Sequence, residues 1–406
     1  MKRYSRKAER VLVFLFLLFL PTQLGKHFWP EWSRVMGVRV DYLSPTVYFL
    51  DVLWCLVFAI DKKRRKRLTG WSWLILLAIN VMVAEYRWVA IYRWLRILQM
   101  WWMVVYLKEK KGWVKENLKT IIPVWIIVES LLGLGQIAKG GSLNGLFYWL
   151  GERSFSYSSI GVAQVALWGR GLVRAYGTFS HPNSMAGFLL VAVLLWINYK
   201  PRIGRSRTGS RVWWWLVWWS GIVGVVLAGS RTVWLTTLIL SMLIFGKNSK
   251  KVWGVGLMLI GMFILVMAGV GVNYMVGDFL GGWDRAGWSK RVGLNWAAIK
   301  MVKDNLFWGT GAGNFLVRLP FYQKEVGSYW LQPVHNIGLL ILSEWGLLGG
   351  VWLGSMFRRW GKNIRMGVVE KLVVVAVLAT GMMDHYWVTL PQNNWFLVVF
   401  LAMLLR

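Results

Sequence analysis

The feature that most constrains this chain is a set of apolar segments that recurs along its whole length. Each segment has about 20 residues, which is enough to cross the hydrocarbon core of a bilayer as one helix. We place about 12 such segments by hydropathy, and hydrophobic residues make up 57% of the 406-residue chain. The sequence therefore predicts an all-α, polytopic integral membrane protein, with a single transmembrane domain over residues 1–406.

The predicted spans are separated by connections of very different length. The longest connection, residues 273–332, lies between the ninth and tenth spans and contains the segment WSKRVGLNWAAIKMV (288–302). Large apolar residues recur at helical spacing from Trp288 to Ile299, so we expect an amphipathic helix on the membrane surface there. The predicted spans are 11–25, 42–60, 70–86, 87–107, 119–137, 184–199, 212–228, 231–246, 252–272, 334–356, 368–387 and 394–406.

The positive charge of the chain is distributed unevenly between the two sides of the predicted bundle. The net charge is +31, and well over half of the 48 Lys and Arg residues fall in the short connections on one side. This pattern places both termini in the cytoplasm and the 273–332 loop outside it. The basic runs at 61–67 and 200–207 then mark topology and contact anionic lipid. We expect no nucleic-acid partner.

Three predicted spans begin on the extracytoplasmic side, and each has polar residues at its start. His181 and Asn183 flank Pro182 at the sixth span, Arg231 follows Ser230 at the eighth, and His335 and Asn336 follow Pro333 at the tenth. Proline is favoured at the first position of a helix, so we place His335 in the first turn. The N-terminus of a helix presents free N–H groups and a positive dipole, which favour an anion.

Further polar residues lie near these helix starts in the sequence. Arg174 precedes the sixth span, Arg291 lies in the predicted surface helix, and Asp384 and His385 end the eleventh span. The planar guanidinium fork suits a diphosphate, and a helix dipole keeps a nearby imidazole neutral, so His335 is the candidate general base. Local roles remain open for all of these residues: helix capping, anchoring at lipid headgroups, or a self-contained Asp384–His385 pair.

Other motifs admit weaker interpretations. Arg93 and Arg96 lie three residues apart in the fourth span, where they either reach the headgroups or contact a lipid phosphate. The glycines of the 309–313 turn follow no predicted strand, so we interpret them as a tight turn near the bilayer and not as a nucleotide loop. Glu344 is predicted to be buried, with no partner that the sequence identifies. Gly346 and its neighbours are expected to permit close helix packing.

The sequence gives little support for a metal centre. The only cysteine is Cys55, which excludes a disulfide or a cysteine metal site. His181 and His335 come from different loops, without an evident carboxylate companion and without a ligand spacing such as HExxH. We therefore expect no metal and no cofactor.

In their order along the chain, these motifs resemble those of the O-antigen ligase and polymerase superfamily. The motifs are RxxGxxxHPN (174–183), Ser230–Arg231, the loop helix with Arg291, the GxGxG turn, and HN…E…GLLG from His335. The superfamily comprises O-antigen ligases, Wzy-type polymerases and bacterial O-oligosaccharyltransferases. The resemblance covers residues 174–350 best, and this chain departs from it in its many tryptophans and in the charged fourth span.

The resemblance implies a GT-C-like fold and a metal-independent, inverting glycosyltransferase of the bacterial cytoplasmic (inner) membrane, acting on its outer face in polysaccharide or lipopolysaccharide biosynthesis. The donor would be a glycan on undecaprenyl diphosphate, and the acceptor a hydroxyl of a lipid, glycan or protein. His335 would activate that hydroxyl, while Arg231 and Arg291 hold the diphosphate. The candidate substrate-binding residues are Arg174, His181, Asn183, Arg231, Arg291, Asn336, Asp384 and His385.

Two other functions remain open at this stage. A secondary transporter or flippase for an anionic or lipid-linked substrate is also commonly built from about 12 spans with intramembrane charges. The absence of an evident internal repeat and the gathering of polar residues at one face argue against it. The third possibility is a non-catalytic scaffold of an envelope assembly.

Overall fold

The computed structural model describes residues 2–62, 72–167, 170–198, 208–245, 285–323, 331–362 and 364–405. Within these ranges the fold is mainly helical. The helices are α1 (Lys2–Leu18), α2 (Phe49–Ile60), α3 (Ser72–Val83), α4 (Arg87–Glu109), α5 (Lys111–Lys139), α6 (Leu146–Trp149), α7 (Pro182–Ile197), α8 (Thr208–Leu227), α9 (Arg231–Phe245), α10 (Arg285–Asp304), α11 (Phe315–Tyr322), α12 (Ile337–Gly361), α13 (Val368–Gly381), α14 (Tyr386–Thr389) and α15 (Pro391–Leu404).

Six short strands pair as three antiparallel hairpins or ribbons in the connections. They are β1 (Gly25–His27) with β4 (Thr46–Tyr48), β2 (Arg34–Val35) with β3 (Val38–Arg39), and β5 (Gln164–Leu167) with β6 (Arg170–Val173). The first pair corrects two predicted boundaries. The spans predicted at 11–25 and 42–60 are shorter as helices, because α1 ends at Leu18, before β1, and α2 begins only at Phe49, after β4.

Three helices of the described chain are long and apolar enough to cross a membrane: α5, the Gly209–Leu227 part of α8, and α12. Four shorter apolar helices lie within α2, α3, α7 and α9. This composition agrees with an all-α membrane protein, while the number of 12 spans stays a prediction. The ninth predicted span, 252–272, lies outside the described residues.

Helix α7 lies at the centre of the main hydrophobic core. Its residues from Ser184 to Leu194 are all buried, and they pack among α5, α8, α13 and α15. Two glycines of α8 allow this close packing. A β-carbon at Gly221 would lie 2.3 Å from Val193 Cγ2, and one at Gly224 would lie 2.4 Å from Ser130 Oγ. Small residues at such contacts bring helix backbones together inside a membrane.

A second core lies between α10, α11 and the first long connection. Leu294, Ala298 and Met301 of α10 are buried there. A helix covers residues 288–302, as part of α10, but the face of it that packs on the protein is not the predicted apolar stripe. Trp296, on the predicted stripe, is 56% exposed. Ala297 and Ala298 on the packed face let α10 approach its neighbours closely. The larger side chains of the predicted stripe would keep them further apart.

Helix α12 is broken at Gly346, whose φ of 64° no ordinary helical residue adopts. The 306–311 loop supplies the backbone hydrogen bonds that the break removes. Thr310 N donates to Ser343 O at 2.9 Å, Gly311 N to Glu344 O at 3.0 Å, and Leu347 N to Leu306 O at 2.7 Å. Irregular backbone at such a depth is stable only when protein groups satisfy it. The glycine turn is therefore a packing partner of α12.

Candidate functional site

A cavity of about 1050 Å³ opens between α4, α12, α15 and the connections that precede them. Its polar end is lined by His181, His335, Asp384 and His385. Its other end is apolar and aromatic, with Met100, Trp101, Leu353, Met356, Trp360 and Leu401. The cavity thus joins a group of titratable side chains to a long hydrophobic wall.

Asp384 is the centre of the polar end. Its Oδ1 lies 3.5 Å from His335 Nδ1, and the two side chains are only 10% and 12% exposed. The same oxygen accepts a hydrogen bond from His385 N at 2.8 Å, and the His335 and His385 ring centroids are 5.2 Å apart. A carboxylate on the Nδ1 side favours the tautomer with its proton on that nitrogen, in which the Nε2 lone pair can accept a proton.

A second chain of contacts leads from Asp384 to Arg174. Asn183 Nδ2 donates to Asp384 Oδ2 at 2.8 Å, and Arg174 Nη2 donates to Asn183 Oδ1 at 2.7 Å. Arg174 Nε donates in turn to Ala228 O at 2.8 Å, just after α8. Asn183 therefore holds the guanidinium and the carboxylate apart while linking them.

The three predicted arginines lie within electrostatic reach of one another. Burial, together with the positive charges of Arg231 and Arg291, lowers the pKa of Arg174 to about 10. The positive charge of Arg291 also lowers the pKa of His385. The mutual repulsion of neighbouring guanidiniums favours an anion beside them. They lie beside the residues that line the polar end of the cavity and are not among those lining residues.

The imidazoles and the carboxylate of this end differ in their protonation. Burial lowers the pKa of His385 to about 4, against the raising effect of Asp384. Burial also lowers the pKa of His181, and the charge of Arg174 adds to this. Burial alone would raise the pKa of Asp384, but the hydrogen bond with His335 and the neighbouring rings keep it below its usual range. A neutral imidazole pair and an ionised carboxylate therefore face the cavity.

The structure moves two helix boundaries by a turn or more from the sequence assignments. His335 precedes α12 and is not in its first turn, because Asn336 takes the N-cap position. Asn336 Oδ1 accepts from Leu339 N at 3.0 Å and its Nδ2 donates to Met382 O at 3.2 Å, so this side chain connects α12 to the end of α13. Asp384 and His385, predicted to end a span, lie in the connection after α13 ends at Gly381.

The other helix starts match the sequence pattern closely. His181 is the N-cap of α7, Pro182 is its first residue, and His181 Nδ1 accepts from Asn183 N at 3.2 Å. His181 therefore has a local capping bond as well as a place in the cavity wall. Helix α9 begins at Arg231, and this side chain is exposed. Arg291 is half-buried on α10.

The arginines of the fourth span have partners within the protein. Arg96 pairs with Asp51 of α2 and donates to Gln99 Oε1 at 2.9 Å. Arg93 donates to the carbonyl of Tyr42, with its guanidinium 3.9 Å from the centre of the Tyr42 ring. These contacts account for both charges without a lipid phosphate.

Glu344 has the partners that the sequence could not identify. Its carboxylate accepts from Tyr42 OH at 2.9 Å, from Gly313 N at 2.8 Å and from Phe315 N at 3.3 Å. Two of these donors belong to the backbone around the glycine turn. Glu344 therefore holds two separate parts of the chain, Tyr42 and the 313–315 backbone, against α12.

The His335, Asp384 and His385 side chains also form a group that could hold a metal ion. Their ligand atoms lie within 4.8 Å of one another, and two imidazoles with one carboxylate are a common set of ligands. The sequence argument that no carboxylate accompanies the histidines was wrong, because Asp384 lies 49 residues further along the chain. The nearby guanidiniums, however, oppose a divalent cation and favour an anion.

Sequence reasoning did not single out one buried carboxylate that contacts the 174–183 segment. Glu129 in α5 is 2% exposed, and both of its oxygens bond to Thr178. The available signal was a single acidic residue in an otherwise apolar predicted span, which indicates function by default.

Comparison with known proteins gives one match. Residues 215–354 match a protein-family model described as O-antigen ligase. The matched range includes Arg231, Arg291, His335 and Glu344, while Arg174, His181, Asn183, Asp384 and His385 lie outside it. Searches of curated proteins and of solved structures found no match.

Proposed function

We propose, from the match of residues 215–354 to the O-antigen ligase family model, that this integral membrane protein moves a glycan from a polyprenyl diphosphate to an acceptor hydroxyl. The family match supports a glycosyl-transfer role of the ligase or polymerase type. The donor, the acceptor class and the residue roles below are our proposal. The reaction would take place on the extracytoplasmic face, with undecaprenyl diphosphate as the carrier and no metal.

The observation that carries this proposal is the link from an imidazole to a guanidinium through Asp384. On one side of Asp384 lies His335, at 3.5 Å. On the other side Asn183 leads to Arg174, whose pKa is affected by Arg231 and Arg291. A proton acceptor and a cationic cluster therefore lie side by side, separated by one carboxylate. Transfer from a diphosphate requires both.

His335 would act as the general base. The acceptor oxygen forms a bond to the anomeric carbon of the donor sugar while the bond from that carbon to the diphosphate oxygen breaks. His335 Nε2 takes the proton of the acceptor hydroxyl, and Asp384 stabilises the imidazolium that results. The attack from the face opposite the leaving group inverts the configuration at that carbon.

The arginines would act on the leaving group. Undecaprenyl diphosphate gains a negative charge when the glycosidic bond breaks, and a preorganised cationic site lowers the energy of that charge. Arg231 is exposed and Arg291 half-exposed, so both can reach phosphate oxygens directly. Arg174 is held by Asn183 and Ala228, and it contributes a fixed charge behind them.

The test is complementation of a host strain from which this gene has been deleted. His335→Ala should abolish surface glycan while the protein still inserts in the membrane at the normal level. Lys119→Ala is the control, because Lys119 pairs with Glu116 on the exposed surface of α5 and does not line the cavity, and it should retain most of the glycan. Normal glycan with His335→Ala would overturn the assignment, and flux of a lipid-linked sugar in proteoliposomes would instead favour a flippase.

A further inference from the structure

One face of α5 contacts an irregular part of the chain, the 174–183 segment, which runs from Arg174 to Asn183. Glu129, Gly133 and Gln136 lie on this face, at spacings of four and three residues that align them along a helix. All three are buried. The segment that they contact begins and ends with side chains of the candidate site.

Gln136 uses its whole amide to hold the backbone of this segment. Its Oε1 accepts from Tyr176 N at 2.9 Å and from Gly177 N at 2.8 Å. Its Nε2 donates to Gly177 O at 2.8 Å and to Glu152 Oε1 at 2.9 Å. These four bonds satisfy both lone pairs and both protons of the side chain.

Glu129 holds the next residue in the same way. Its Oε2 accepts from Thr178 N and its Oε1 from Thr178 Oγ1, both at 2.8 Å. Thr178 Oγ1 also lies 2.8 Å from Pro21 O, and Gln392 Nε2 donates to Thr178 O at 3.2 Å. Three distant parts of the chain therefore meet at one threonine.

Two glycines make this contact possible. A β-carbon on Gly133 would lie 2.8 Å from Ala175 Cβ, so only glycine lets the segment approach α5. Gly177 has a φ of 58°, and a β-carbon there would lie 2.2 Å from Glu129 Oε2. The glycine of the RxxGxxxHPN stretch is thus required by the contact with Glu129.

We propose that Glu129 and Gln136 are positioning residues, which set the 174–183 segment so that Arg174 and Asn183 reach the diphosphate site and Asp384. This inference rests on the proposed function. Neither residue lines the cavity itself. A carboxylate inside an apolar helix is costly and is retained where it has a specific partner. Here its partner is the backbone three residues before His181, the N-cap of α7.

The experiment measures binding of undecaprenyl diphosphate to the purified full-length chain in nanodiscs. We compare wild type, Glu129→Ala, Glu129→Gln and Thr178→Val, and we correct each affinity for the fraction of folded protein. Glu129→Ala should weaken binding at least about tenfold, the loss expected from one misplaced charge-assisted hydrogen bond. Thr178→Val, which keeps the side-chain volume, should weaken binding in the same direction but less.

Glu129→Gln should restore affinity to within about threefold of wild type, which corresponds to less than 1 kcal/mol. Its Oε1 can accept from Thr178 N, and its amide can donate to Thr178 Oγ1, whose proton then goes to Pro21 O. Trp125→Phe is the control on the same helix. It removes bonds to Leu17 O and Leu18 O, so it should lower the unfolding midpoint without changing the corrected affinity.

The outcomes separate the two proposals. Failure of wild type to bind undecaprenyl diphosphate counts against the proposed function itself. Binding by wild type together with unchanged corrected affinity in Thr178→Val and Glu129→Ala would overturn the positioning role. If Glu129→Ala does not fold, the Thr178→Val result decides the inference alone.

Discussion

Two buried carboxylates line the same cavity, and they have very different neighbours. Glu344 is 5% exposed and Asp384 is 7% exposed. Glu344 accepts hydrogen bonds from one phenol and two backbone N–H groups. Asp384 also accepts from one backbone N–H, that of His385, but its side-chain partners are an imidazole and a carboxamide, with a guanidinium one bond further on.

The difference separates a structural carboxylate, Glu344, from a carboxylate suited to take part in the reaction, Asp384. Backbone donors do not titrate and do not move, so Glu344 serves to hold the 313–315 backbone and Tyr42 against α12. The side-chain partners of Asp384 are an imidazole that can take a proton and an amide that links to a charge. Burial alone therefore does not identify the functional carboxylate, but the chemistry of its donors does.

The largest effect should come from Asp384→Asn. This change keeps the shape of the side chain but removes the charge that stabilises a protonated His335. We expect transfer to fall by about 100-fold or more, the usual contribution of general base catalysis, with a normal amount of folded protein. The measurement is the initial rate of undecaprenyl diphosphate release. A rate within threefold of wild type would remove the distinction between the two carboxylates.

The second effect concerns the arginines beside Asp384. Arg231→Gln and Arg291→Gln should each raise the KM for the lipid-linked donor about tenfold or more, because each loses a charge-assisted contact to phosphate. Arg318→Gln is the matched control, since Arg318 lies near the Glu344 region and pairs with Glu85 at 3.0 Å. An equal rise in KM for the control would show a nonspecific effect of charge.

The third effect should appear in stability and not in catalysis. Glu344→Gln places an NH₂ group against donors that now meet a carboxylate oxygen, so the free energy of unfolding should fall by about 1–3 kcal/mol. The rate per folded molecule should stay within threefold of wild type. Thermal unfolding in detergent and the transfer assay measure the two quantities. Loss of activity without loss of stability would place Glu344 in the reaction.

The smallest expected effect is a change in how the stability of the fold depends on pH. The pKa of His385 is about 4 in the folded protein, below its unfolded value of about 6.5. Between these values the unfolded chain binds a proton that the folded chain does not, so stability decreases as the pH falls. His385→Gln should make this decrease shallower. Thr389→Val removes the 2.8 Å contact to His385 Nδ1. It should instead lower the midpoint of thermal unfolding by the same amount at every pH.

Local features of the structure could be predicted from the sequence. Proline, serine and asparagine mark helix starts by their own chemistry, so the beginnings of α7 and α9 at Pro182 and Arg231 follow the pattern. The sequence placed His335 one turn too far into α12. Both Pro333 and Asn336 are typical of helix starts, and in the structure Asn336 caps the helix.

Long-range pairing could not be predicted. His335 and Asp384 lie 49 residues apart, and Tyr42 lies 302 residues from Glu344. Periodicity reports which face of a helix is apolar, and it carries no information on which distant residue meets that face. Glu129 was missed for a related reason, since one carboxylate hardly changes the mean hydropathy of a long apolar window.

The most direct test is an experimental structure of the full-length protein in nanodiscs with undecaprenyl diphosphate bound. We predict phosphate oxygens within hydrogen-bond distance of Arg231 and Arg291, and His335 Nε2 facing the space next to the terminal phosphate. A diphosphate bound away from all three arginines, or separated from His335 by more than the length of one phosphate, would contradict the account.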